Sequence, residues 1–288
     1  MTDAHTIVWV DGERLPSEGA HISARDRGFT LADGVFETMK ARNGKVFRLE
    51  RHLTRIESAL RTLAIPSPPE LRDWVDAAVR VAYVPEASIR LTVSRGISPG
   101  GVAAPSDPRP TVVVTVSLPP AFGAAIYEAG LSARLASGRR NEHAMTAGLK
   151  TLSYTDAVAG LNEARGAGAD EVLFLDTAGH CSEASASNLF ALIAGRLTTP
   201  PTSCAALPGI TRAAVIELAP QIGVPVDERP FALDELKAAD EAFLTSSLRG
   251  IAPLARIDGD AIGSGVPGPV TRRVSAAYAA LVAAECGA

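Results

Sequence analysis

Lysine is nearly absent from this chain of 288 residues. Lys40, Lys45, Lys150 and Lys237 are the four there are, and the rest of the positive charge is arginine. Twenty-eight basic residues against 32 acidic ones leave a net charge of -4, with no basic run. That balance excludes the electrostatic footprint of a nucleic-acid or anionic-membrane binder. Cysteine is also scarce. Cys181, Cys204 and Cys286 are an odd number without metal-type spacing, so no disulfide framework and no metal are expected, which fits a reducing cytoplasm. No apolar run approaches the roughly 18 residues of a spanning helix. Met1 to His5 lack the basic and apolar regions of a secretory signal. What remains, 47% hydrophobic and 21% charged residues, is a globular balance with room for two cores. The expectation is a soluble cytoplasmic protein.

Strand and helix signals alternate along the chain. Thr6–Val10 turns through Asp11-Gly12 into a short hairpin. Val35–Ala41 and Lys45–Leu49 flank Asn43-Gly44 as a second one. Glu50–Ala64 reads as an amphipathic helix with Leu53, Ile56, Leu60 and Leu63 on one face, and Leu71–Val84 as another. Ser88–Ser94 and Thr111–Leu118 are strands around a Gly/Pro-rich loop. Pro119-Pro120-Ala121-Phe122-Gly123 reads as a rigid connector. The division expected is 1–120, a connector over 121–130, and 131–288. In the second half, strands are expected at Leu131–Leu135, Glu171–Asp176, Asn188–Ala194, Arg196–Thr199 and Ala242–Thr245. Helices are expected at Tyr154–Gly166 (with Val158, Leu161 and Ala164 inward), Ile210–Ile222 and Val270–Ala284. Mixed elements in both halves argue for two α+β domains with a cleft between them.

Lys150 lies in Gly148-Leu149-Lys150-Thr151-Leu152-Ser153-Tyr154, a largely uncharged stretch. An ammonium among small and apolar neighbours is costly to bury unless it is paired, neutralised or chemically consumed. Condensation with an aldehyde consumes it, and desolvation favours the nucleophilic amine. Three further features suit a phosphorylated pyridine aldehyde. Glu183 is a carboxylate of the kind that keeps a pyridine nitrogen protonated. Pro208-Gly209-Ile210-Thr211-Arg212 places a glycine turn at a helix start, where N–H groups and the dipole favour phosphate. Thr245-Ser246-Ser247 ends a strand in hydroxyl donors. Taken singly, each also suits a plain alternative: a surface turn, an ordinary helix entry, a loop.

Their order is more specific. Arg25-Asp26-Arg27-Gly28-Phe29-Thr30-Leu31-Ala32-Asp33-Gly34-Val35-Phe36-Glu37-Thr38 is followed by His52-Leu53-Thr54-Arg55 and Lys150-Thr151. Glu183 with Ser187-Asn188-Leu189-Phe190 comes next, and then Leu207-Pro208-Gly209-Ile210-Thr211-Arg212. From about Trp9 to the last helix this resembles the class IV aminotransferases, fold-type IV pyridoxal 5'-phosphate (PLP) enzymes. The family includes branched-chain and D-amino-acid aminotransferases and 4-amino-4-deoxychorismate lyases. The resemblance implies a small N-terminal α/β domain and a larger C-terminal domain, with the cofactor in the cleft between them. It makes Lys150 the Schiff-base lysine and the base that moves the substrate's α-proton, and Glu183 the pyridine-nitrogen partner. Arg55, Ile210, Thr211 and Ser247 correspond to phosphate ligands. Leu207 corresponds to the side chain packed on the ring, and Tyr154 to the tyrosine near its phenolic oxygen. It also implies a homodimer in which the partner's loop lines the active site.

Alternation along the strands makes Phe36, Thr38 and Arg90 the residues facing the substrate, with arginine suited to a carboxylate. The Arg-x-His pair of D-amino-acid enzymes is missing from Ser94-Arg95-Gly96-Ile97-Ser98-Pro99-Gly100-Gly101-Val102, and so is the loop of the enterobacterial lyases. Arg140-Asn141-Glu142 nonetheless resembles lyase-like members. The activity expected is transfer of an amino group from a hydrophobic L-amino acid to a 2-oxo acid. Aminodeoxychorismate lyase is the alternative, and D-amino-acid or (R)-amine transamination comes behind both.

Overall fold

The computed structural model describes residues 6–82 and 84–287, which group into two compact units. The division is not sequential. The first unit takes residues up to Pro120 together with Leu149–Ser153 and the chain from Val282, and the second takes Ala121–Gly148 and Tyr154–Leu281. The segment carrying Lys150 therefore belongs to the first unit, although the expected division at 120 places it in the second.

The first unit begins with β1 (Ile7–Val10), β2 (Glu13–Leu15) and a short α1 (Arg27–Leu31). Then come β3 (Gly34–Arg42), β4 (Lys45–Val46), α2 (Leu49–Thr62), α3 (Leu71–Ala82), β5 (Glu86–Ser94) and β6 (Thr111–Ser117). The six strands form one antiparallel sheet in the order β2-β1-β6-β5-β3-β4. Alternate residues of β5 and β6 are buried, as in a sheet with one covered face. Ile89, Leu91 and Val93 meet Leu53, Ile56 and Leu60 of α2 and Val75 and Val79 of α3 in a common core. Each such side chain contributes roughly 1.5–3 kcal/mol on full burial. The expected strand at Lys45–Leu49 is cut short because the chain turns at Phe47-Arg48 into α2. Helix α1 has no counterpart among the elements expected from the sequence. Asp26 caps it by accepting the Gly28 N–H at 2.7 Å, while its other carboxylate oxygen accepts the Ser94 hydroxyl at 2.9 Å.

One cluster in this unit fixes the Gly/Pro-rich loop after β5. Arg27 Nε donates to Asp33 at 2.7 Å, and its terminal nitrogens donate to the carbonyls of Gly101, Val102 and Ala103 at 3.1, 2.9 and 3.1 Å. Arg95 binds the same Asp33 carboxylate and also reaches the carbonyls of Leu63 and Ala64. Burial works to raise the Asp33 carboxyl, but the two guanidinium groups outweigh it and hold it below its ordinary value.

The second unit opens with α4 (Ala125–Glu128), β7 (Leu131–Arg139), α5 (Thr155–Gly166), β8 (Glu171–Leu175), β9 (Cys181–Ala184), β10 (Asn188–Ile193) and β11 (Arg196–Thr199). It continues with α6 (Ile210–Leu218), β12 (Val226–Glu228), α7 (Leu233–Lys237), β13 (Glu241–Ser246), β14 (Gly250–Ile257), β15 (Asp260–Ala261) and α8 (Pro269–Cys286), whose last turn from Val282 groups with the first unit. The main sheet runs β12-β11-β10-β13-β14-β7-β8-β9, and β9 pairs again with β10 through Asn188 and Glu183. That pairing closes six strands into a ring. All five residues of β8 are buried, as expected of a strand covered on both faces.

Two sequence expectations are corrected here. Val158 is exposed; the inward face of α5 is Ala157, Gly160 and Ala164. The helix lies so close to β8 that a Cβ on Gly160 would sit 2.7 Å from the Phe174 ring. The helix expected over Ile210–Ile222 ends at Leu218, and a 3-10 turn starts at Pro220, whose missing N–H cannot extend the α-helical ladder.

Candidate active site

In the first unit, Lys150 is carried by a short segment running antiparallel to the start of β3. The Phe36 N–H donates to the Lys150 carbonyl at 2.9 Å, the Leu152 N–H donates to the Gly34 carbonyl at 3.0 Å, and Thr151 bridges Val35. This pairing sets the half-buried Lys150 ammonium 4.3 Å from the centre of the Phe36 ring. The Arg90 guanidinium stacks on the same ring at 3.8 Å. Thr38 is the direct cross-strand partner of Arg90. Phe36, Thr38 and Arg90 thus share one face of the β3–β5 ladder, with Lys150 against it.

On α2, Arg55 points toward Glu37 of β3, donating from Nε at 2.7 Å and from Nη2 at 2.6 Å. His52 Nδ1 lies 2.6 Å from the same carboxylate. Glu37 is 1% exposed. Burial would raise its carboxyl, but the bonds from His52 and Arg55 win and hold it at about 2. Burial also pushes His52 below its ordinary value, partly offset by Glu37, with the positive charges of Arg55 and Lys150 adding to the downward push. In the sequence Glu37 and His52 stand only as parts of motifs. Their role is hidden there because pairing between a strand and a helix residue leaves no mark in local spacing.

In the second unit, Glu183 lies on strand β9 and not in a surface turn. One carboxylate oxygen accepts the Leu207 N–H at 2.9 Å, and the other lies 3.4 Å from Arg140 Nη2. The Arg140 guanidinium also covers the Phe174 ring at 4.4 Å. Two residues on, Glu142 accepts from the hydroxyl and N–H of Thr177 at 2.6 and 3.0 Å, tying this segment to the β8–β9 turn. The Arg-Asn-Glu motif therefore has a positioning role.

Asn188, opposite Glu183 in the ring closure, donates to the Leu207 carbonyl at 2.8 Å. A side chain at Gly209 would collide with it, since a Cβ there would lie 2.0 Å from Asn188 Oδ1. Gly209 then opens α6 with no side chain capping it, so the first-turn N–H groups of Ile210 and Thr211 are presented at a helix start. Thr211 is buried, with its hydroxyl 3.4 Å from the Tyr278 hydroxyl. Thr245, the cross-strand partner of Asn188, carries a buried hydroxyl with no partner in the protein, on the sheet face where Asn188 reaches Leu207. Ser247 follows in the turn after β13, and Tyr154 immediately precedes α5. Within the second unit, a fixed carboxylate, an uncapped helix start and a partnerless buried hydroxyl form a donor set that suits a phosphorylated pyridine.

The amino-transferase class IV family model matches residues 34–257. The chain is a member of the class IV aminotransferase family. Enzymes of this family depend on PLP. A branched-chain-amino-acid aminotransferase of Pseudomonas aeruginosa is 31% identical over 99% of this chain and 95% of its own length. A branched-chain amino acid aminotransferase from T.th., solved with pyridoxamine 5'-phosphate, is similar with a TM-score of 0.91 and 29% identity. The match covers 97% of this chain and 94% of that one. The 4-amino-4-deoxychorismate lyase of Pseudomonas aeruginosa is similar with a TM-score of 0.84 and 34% identity, over 93% and 97% of the two chains. Family membership accounts for the order of motifs from Phe36 to Thr211. No described helix of this class IV aminotransferase is long and apolar enough to cross a membrane.

Proposed function

We propose that this class IV aminotransferase binds PLP and moves the amino group of a hydrophobic L-amino acid to a 2-oxo acid. The observation that carries the reading is the Phe36 ring with Lys150 on it at 4.3 Å and Arg90 at 3.8 Å. The ring is an apolar wall, Arg90 anchors one carboxylate, and Lys150 is the amine. A second carboxylate on the substrate would lose its hydration without a matching cation. When bound, PLP supplies an electron sink for the charge left as the Cα–H bond breaks. Lys150 takes the proton from the substrate's Cα and returns it. Glu183 holds a protonated ring nitrogen, steadied by the Leu207 N–H and Arg140. Ile210, Thr211, Ser247 and Arg55 hold the phosphate, with Arg55 aimed by Glu37. Leu207 packs on the ring, and Tyr154 stands by its phenolic oxygen. Thr38 and Phe36 shape the substrate side. Residues 1–120 act as the substrate-closing domain and 131–288, apart from the Lys150 segment and the chain from Val282 that group with the first unit, as the cofactor-binding domain, with 121–130 as connector.

The working form is a homodimer. Phe29, Leu31, Ile97 and Val102 are exposed at 72, 46, 54 and 85%, along α1 and the loop that Arg27 holds against it. An apolar strip of this kind marks an association surface.

The second reading is aminodeoxychorismate lyase. It draws on the 34% identity with the lyase of known structure and on the Arg140-Asn141-Glu142 motif. A donor panel decides between the two: L-Leu, L-Ile, D-Ala, (R)-1-phenylethylamine and aminodeoxychorismate, each with 2-oxoglutarate or pyruvate. L-Leu and L-Ile are expected to lead. Pyruvate released without an acceptor, or D-Ala turning over about tenfold faster than L-Leu, replaces the substrate assignment. Lys150→Ala is expected to lower turnover by orders of magnitude and to lose the mass added to the wild type by borohydride reduction.

A further inference from the structure

The β8–β9 turn carries a cluster that the aminotransferase reaction does not use. Asp176 follows β8, His180 precedes β9, and Cys204 ends a 3-10 turn over Thr202–Cys204. One ligand atom from each lies within 4.8 Å of the others. Asp176 and Cys204 are each 2% exposed, whereas the His180 side chain is 41% exposed.

We propose that Asp176, His180 and Cys204 bind a single divalent cation of the zinc type, with water completing the tetrahedron. The donor chemistry selects the ion: one carboxylate oxygen, one imidazole nitrogen and one sulfur suit Zn2+, whereas Mg2+ and Ca2+ take oxygen. Zinc bonds of about 2.0–2.3 Å put ligand atoms roughly 3.5 Å apart. The Asp176 Oδ2 to His180 Nδ1 distance, 3.2 Å, already lies near that value. The Cys204 sulfur lies within 4.8 Å of both of the other ligand atoms, so it faces the same place. The remaining adjustment falls on His180, the exposed member, whose ring can turn.

The turn itself is built beforehand. Asp176 and His180 exchange main-chain and side-chain bonds, Asp176 N–H to the His180 carbonyl at 2.8 Å and His180 N–H to Asp176 Oδ1 at 2.7 Å. Glu142 ties down the adjoining Thr177. Preorganisation of this kind lets the bound metal act on structure as well as composition.

The placement gives the metal a task. Glu183 lies three residues after His180, Leu207 lies three after Cys204, and those two residues are joined by the 2.9 Å bond from the Leu207 N–H. A cation on His180 and Cys204 therefore pins the two segments one step before they meet at the candidate cofactor site. It braces the loop that leads into α6. On coordination the thiol proton leaves to solvent.

The test counts metal on the purified holoenzyme, stripped with a chelator and re-equilibrated with ZnCl2 against a chromophoric chelator. A single Zn2+ per chain is expected, with MgCl2 unable to replace it. His180→Gln, at an exposed position that the fold tolerates, and Cys204→Ser are each expected to weaken binding about tenfold or more. Cys286→Ser is expected to leave it unchanged. No Zn2+ retained by the wild type, or retention undiminished in His180→Gln, overturns the proposal and leaves a hydrogen-bonded knot. The count of bound metal does not depend on which amino donor the enzyme takes.

Discussion

Arg140 places its guanidinium on the Phe174 ring and one terminal nitrogen 3.4 Å from Glu183, opposite the oxygen that the Leu207 N–H holds. It is a positioning residue, since it acts through Glu183. The contact is an ion pair, and a partly exposed pair is worth up to about 1 kcal/mol. Arg140→Gln is therefore expected to slow the amino-donor half-reaction about fivefold while cofactor content, read by absorbance, stays the same. Arg140→Lys should restore part of the rate. Wild-type half-reaction rates in Arg140→Gln would show that the Leu207 N–H alone suffices. Lys150 could be singled out in the sequence because a solitary lysine in an uncharged stretch is a chemical oddity. Arg140 could not, because what distinguishes it is the ring beneath it and the carboxylate across from it, and both are brought there by strands.

Strand β3 and helix α2 are joined by the Glu37, His52 and Arg55 cluster, and the elements should loosen together in acid. The Glu37 carboxyl is held at about 2 against an ordinary 4.5. Its contribution is complete above the ordinary value and is lost as pH falls from there toward about 2. His52 is pushed below its ordinary 6.5, so its folded form resists a proton that the unfolded chain accepts. That contribution is complete above pH 6.5 and declines below it. Melting temperature is expected to be level above that point, to fall first through His52, and to fall again in the carboxylate range. Glu37→Gln should shrink the second fall, to which Asp33 also contributes, and cost about 3–5 kcal/mol at neutral pH, as breaking a buried pair does. A pH–melting curve for Glu37→Gln that overlays the wild type would rule this out. At this scale the amphipathic helices were legible, since Leu53, Ile56 and Leu60 repeat at helical spacing and are buried. Strand β9 was not. Cys-Ser-Glu-Ala carries little strand preference, and its pairing with β8 and β10 comes from closure of the ring. The Asp176, His180 and Cys204 cluster was hidden for the same reason, since Cys204 lies far along the chain from the other two.

For the whole molecule, the strip of Phe29, Leu31, Ile97 and Val102 carries the proposed homodimer. Sedimentation should give two chains per particle, and Phe29→Asp with Val102→Asp should give one. A dimer that survives both charges would place the association surface elsewhere. The α+β character and the order of motifs were readable from the sequence. The return of Leu149–Ser153 to the first unit was not, because two backbone bonds to β3 decide it rather than any composition change. Arg27 fixes the loop near this strip by gripping the carbonyls of Gly101, Val102 and Ala103, and main-chain oxygens are the same whatever side chains stand there. The grip is blind to spelling. Loop positions 102 and 103 can accept new side chains, and with them new surface preferences, while the loop's path is inherited intact. Innovation and scaffold are thereby assigned to different atoms of the same residues.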